Sequence, residues 1–199
     1  MKIRPAAAAA LALTALLALG GCAAGSGSGS DMPGMNHGDS TSSSARDADA
    51  NDADILFARM MIPHHAQAVE MSDMILGKDD IDERVVELAE QIKAAQQPEI
   101  DQLQSWLEDW GSDTSDIGTM DTMDHGGGMM TDDDMDALDD ATGTDASRLF
   151  LEQMIQHHEG AIDMAQEEVD NGQNLDAIQL ARTIIDTQTA EIATMEEIL

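Results

Sequence analysis

The amino-acid sequence predicts an all-α protein whose main domain is a four-helix bundle made of two repeated helical hairpins. Four stretches space apolar residues three and four apart, as a helix with one buried face requires, and no stretch alternates with the period of two typical of a half-buried strand. An internal repeat is the second observation. Phe57, Met61, Ile62, His64, His65, Ala68, Val69, Glu70 and Met71 recur as Phe150, Met154, Ile155, His157, His158, Ala161, Ile162, Asp163 and Met164. Further on, Leu88, Ala89, Ile92, Gln96, Glu99, Ile100 and Leu103 recur as Leu180, Ala181, Ile184, Gln188, Glu191, Ile192 and Met195, their offset shorter by one residue, which fits a loop deletion. One hairpin cannot bury its own apolar face, so two pack together.

The elements follow in order. Lys2 and Arg4 precede a short apolar run ending in "LGGC", which reads as a lipoprotein signal over residues 1–21 with lipidation at Cys22; the run is shorter than the roughly 20 residues a spanning helix needs. Residues 22–51 are Gly, Ser, Asp and Met and are expected to form a flexible tether. The bundle occupies residues 52–199. Its first helix runs from about Asp52 to Leu76 and stops at Gly77; its second starts near Asp80, expected to cap with Glu83, and ends before Gly111. A Met- and Asp-rich stretch at about 112–143 is expected to be a flexible insertion. The third helix spans about Thr144 to Val169, and the fourth runs from Asn174 to the end. Trp106 and Trp110, one turn apart, are expected to close one end of the bundle.

Charge and cysteine count narrow the chemistry. Forty acidic against nine basic residues give a net charge of −31. Such a surface repels nucleic acid and anionic headgroups, leaving a lipid anchor as the expected membrane contact and cations as natural partners. Cys22 is the sole cysteine, so the domain has neither an intrachain disulfide nor a thiolate metal site. Any metal must be held by His, Met, carboxylate or backbone. The expected location is the outer, extracytoplasmic face of the membrane.

The histidines are six in the whole chain, and four fall in the repeated pairs. At 100° per residue Phe57, Met61, His64, Ala68 and Met71 form one stripe, and Phe150, Met154, His157, Ala161 and Met164 form its counterpart. His64 and His157 therefore face the core, while His65 and His158 turn toward a flank and sit nearer an edge. Buried imidazoles need partners, and imidazoles beside thioethers favour copper, above all in its reduced state. The candidate metal ligands are His64, His65, Met61 and Met71 in the first copy and His157, His158, Met154 and Met164 in the second. Pro63 precedes the first pair where Gln156 precedes the second, so the two copies need not be equivalent. Met32, Met35 and His37, with Met120, Met123, His125, Met129 and Met130, are candidate capture residues in the linkers. No Glu stands three residues before a histidine, against a di-iron centre, and no calcium loop, phosphate loop or nucleophile with a nearby base is present. The expectation is binding without catalysis.

The doubled segment, Phe followed by Met, His-His, Ala and Met, with the later Ala, Ile, Gln, Glu-Ile pattern, resembles the bacterial family called domain of unknown function 305, placed among ferritin-like bundles. The resemblance covers about residues 52–199. It implies a ferritin-like fold and, since some relatives look like periplasmic copper-binding proteins of copper-resistance systems, copper binding through the histidines and methionines just named. The function expected is an extracytoplasmic lipoprotein that buffers, sequesters or delivers copper, with no protein partner indicated. The alternative is a structural or partner-binding lipoprotein whose histidines form a buried polar network without metal.

Overall fold

The computed structural model of the protein describes residues 50–112 and 127–199. The signal and Cys22, Met32, Met35 and His37 in the tether, and Met120, Met123 and His125 lie outside the described residues. Five helices follow one another: α1 (Asp52–Leu76), α2 (Glu83–Asp109), α3 (Asp132–Asp140), α4 (Gly143–Asn171) and α5 (Leu175–Ile198). Among the described residues there is no strand, and no helix is long and apolar enough to cross a membrane.

Side chains just outside the helices decide where they begin. Asn51 accepts from the Ala53 and Asp54 amides while Asp54 accepts from the Asn51 amide, a reciprocal cap for α1. Asn174 caps α5 in one direction only, its side chain accepting from the Asp176 and Ala177 amides. For α2 the cap is Asp82, not Asp80: Asp82 accepts from the Arg84 amide at 2.9 Å. Asp80 instead takes a left-handed backbone with φ of 59°, a conformation that aspartate tolerates in a turn.

The insertion departs further from expectation. Its second half contains α3, begun by a reciprocal cap between Thr131 and Asp134 and carrying Asp132, Asp133 and Asp134 in the first turn, where the helix dipole favours acids. Acidic composition masks two anchors: Leu138 is fully buried, and Met130 joins the same apolar cluster, so Met130 is a packing residue in place of a freely mobile one.

α1 packs against α2 and α4 against α5 as the two hairpins, with α1 and α4 joined along their length and α3 lying against both; α2 and α5 meet only slightly. The core forms two clusters. One unites Met71 and Ile75 from the end of α1 with Phe150, Leu151 and Met154 from the start of α4. The other unites Phe57, Ala58 and Met61 from the start of α1 with Ala161 and Ala165 from later in α4. α1 and α4 are therefore antiparallel, and the repeat axis crosses them midway. Trp106 and Trp110 stack 5.9 Å apart against the second cluster, at that end of the bundle.

A carboxyl pair ties this end together. Buried Asp54 accepts from the Gln173 and Asn174 amides at 3.0 and 2.9 Å, fixing the α4–α5 turn to the start of α1. Buried Glu168 lies beside it, and burial first, then Asp54, pushes its carboxyl up to about 8. The folded chain thus keeps a proton that the unfolded chain gives up near pH 4.5, so stability declines as pH rises from there to about 8. Thermal melts across pH 4.5 to 9 should show Glu168→Gln more stable than the parent above pH 8, with the difference narrowing toward pH 4.5.

Candidate metal centre

The paired histidines come together where α1 and α4 cross the repeat axis. The rings of His64 and His157 lie with centroids 3.7 Å apart and planes 37° from parallel. His65 follows 6.5 Å from His64, and His158 6.4 Å from His157. The four imidazoles make a buried row, His65, His64, His157, His158, running from α2 across the bundle to α5. All four are at most 1% exposed, so the outer pair is not at an edge. α2 and α5 pack over those flanks and meet them with carboxylates: His65 Nε2 donates to Glu99 Oε2 at 2.8 Å and His158 Nε2 to Glu191 Oε2 at 2.7 Å. Gln96 and Gln188, one turn before these acids, are also buried.

The methionines divide by side, not by helix. Met61 and Met164 pack in or against one cluster and Met71 and Met154 in the other, so each side of the histidine row holds one methionine from α1 and one from α4. Antiparallel packing brings this about, because positions before His64 lie level with positions after His157. Met61, Met71 and Met154 are fully buried and Met164 is half-buried.

The returning insertion covers the row. His64 Nε2 donates to the Gly127 carbonyl at 2.7 Å. Gln67 then grips the Met130 backbone at both ends, accepting from its amide at 2.8 Å and donating to its carbonyl at 2.9 Å. On the other side the loop touches the α4 backbone: a Cβ on Gly160 would sit 1.7 Å from the Gly127 oxygen, and Gly128, at φ +75°, would place one 2.3 Å from the Gln156 oxygen. Only glycine permits this approach.

These contacts set the chemistry of the nitrogens. Carbonyl and carboxylate oxygens accept, so Nε2 carries a hydrogen in His64, His65 and His158, and Nδ1 of each is buried without a partner. His157 has no partner on either nitrogen. Burial holds His64 down to about 3, opposed by the Gly127 carbonyl and reinforced by His65 and His158; burial and the neighbouring rings hold His157 well below its ordinary value. Both inner rings are therefore neutral near pH 7, the form a metal ion requires. Among the described residues no three His, Cys, Asp or Glu converge as a metal set.

A family model for a domain of unknown function, DUF305, matches residues 54–199. The chain belongs to the DUF305 family. A crystal structure of a DUF305 fragment from Deinococcus radiodurans is 29% identical, covering 75% of this chain and 96% of that one, with a TM-score of 0.67. A DUF305 protein from Streptomyces coelicolor is 32% identical, covering 74% and 90%, with a TM-score of 0.67. CopM in its Cu(II)-bound form is 31% identical, covering 72% and 93%, with a TM-score of 0.63. No curated protein matches the chain.

Within this DUF305 domain the histidines found from sequence converge, while Glu99, Glu191, Gln96, Gln188 and the Gly127 carbonyl were not foreseen as their companions. The signal was present: Gln and Glu three apart occur at the same place in both copies. Gly160→Ala tests the loop contact. The added methyl should lift Gly127 and Gly128 off α4 at a cost of about 1–3 kcal/mol, and hydrogen exchange at the Met130 amide should quicken markedly; unchanged exchange would contradict the observed docking.

Proposed function

We propose that this DUF305 protein is an extracytoplasmic lipoprotein, anchored through Cys22, that binds copper and buffers it or hands it on, by binding and not by turnover. The observation that carries the reading is the buried contact of His64 with His157, with three ring nitrogens between them that have no hydrogen-bond partner and a methionine pair on either side. Neutral imidazoles with thioethers suit a soft ion, cuprous copper foremost. Structures of CopM in Cu(I)-bound and silver-bound forms, 30% identical to this chain, support the same choice, silver being a soft monovalent ion too. His64 and His157 serve as nitrogen ligands, His65 and His158 as further ligands or orienting groups, and Met61 with Met164 and Met71 with Met154 as sulfur donors.

The hydrogen bonds from His65 to Glu99 and from His158 to Glu191 favour a second reading, a polar network that fixes the packing of the hairpins without metal. The two readings separate in a melting experiment. A ligand at a hundred times its Kd adds about 2.7 kcal/mol, a rise of roughly 5–10 °C for a domain of this size, whereas a pure network does not respond to copper. Titration of the mature protein with copper under reducing and oxidising conditions completes the test: replacing His64, His65, His157 and His158 with Ala should weaken binding by at least about tenfold, and unchanged affinity would overturn the copper reading.

A further inference from the structure

Two carboxylates terminate the histidine row, and soft-ion ligation by imidazole and sulfur does not itself require them. Glu99 from α2 and Glu191 from α5 each place Oε2 on the Nε2 of an outer histidine, at 2.8 and 2.7 Å. The two contacts belong to different hairpins, so the same geometry is built twice. Each histidine side chain is fully buried, while the glutamates are 18% and 16% exposed, so the carboxylates stand between the dry row and water. In both couples the histidine Nδ1 is buried and open.

A cation entering this row meets two neutral inner rings and neutral thioethers. Its charge in a low-dielectric interior is costly unless an opposite charge lies close by. Glu99 and Glu191 are the acids hydrogen-bonded to the row. A carboxylate on one imidazole nitrogen also fixes the tautomer and raises the basicity of the other.

We propose that Glu99 and Glu191 are positioning residues that hold His65 and His158 with Nδ1 bare toward the bundle interior and supply the counter-charge for a soft monovalent cation bound in the row. This rests on the copper reading above. Negative charge at both ends of the row then offsets the ion's positive charge, while the inner rings and the sulfurs match it by softness.

The test pairs a metal-free measurement with a binding one. In nitrogen-15 NMR of the metal-free protein, His65 and His158 should both show the Nε2–H tautomer. Glu99→Gln with Glu191→Gln keeps an acceptor oxygen and removes the charge, so the tautomer and the metal-free melting temperature should persist while cuprous affinity falls about 10- to 100-fold. Glu99→Ala with Glu191→Ala should lose the tautomer preference as well. Parental affinity in the Gln pair, or an Nδ1–H tautomer at both outer histidines of the parent, overturns the proposal. If the parent binds no copper, the copper reading fails by itself and the counter-charge role falls with it; the tautomer measurement then separately decides whether the glutamates position the rings.

Discussion

The antiparallel contact between α1 and α4 at His64 and His157 is the constraint on which the molecule is organised. Two rings 3.7 Å apart fix the crossing point of the hairpins. Once that point is set, the start of α1 must lie against the end of α4, and the two apolar clusters fall on opposite sides. The Asp54 node at one end follows from the same alignment, since it needs the α4–α5 turn beside the first turn of α1.

A polar layer through the middle of a bundle weakens the apolar driving force there, because each buried imidazole must replace the water it loses. The outer rings recover part of this through Glu99 and Glu191, and His64 does so through a backbone carbonyl. His157 does not, and neither do both amide atoms of Gln96. A fold selected for stability alone would close these positions with leucine or phenylalanine. Open nitrogens at the centre of an otherwise well-packed core are the kind of local cost that functional sites carry.

Much of this was legible in the sequence because a repeat is a three-dimensional statement. The doubled pattern around Phe57 and Phe150 specified the hairpins, and helical phase brought His64 and His157 inward. Phase within a single helix could not show what covers its flank, so His65 and His158 read as edge residues although α2 and α5 bury them. It also grouped Met61 with Met71, where antiparallel packing pairs Met61 with Met164. The insertion was hidden by composition: an acidic run reads as solvated chain, and the single apolar residue Leu138 with a Thr131 cap is enough to anchor a short helix.

Gly160 and the loop it admits give the molecule a handed asymmetry that its repeat lacks. Position for position, Gly160 answers to Gln67, the residue that grips Met130 from the opposite helix. One half of the duplication thus became a clasp and the other a bare landing strip. The two inner histidines, alike in ancestry and phase, are consequently no longer interchangeable: one is tethered by a carbonyl and the other is not.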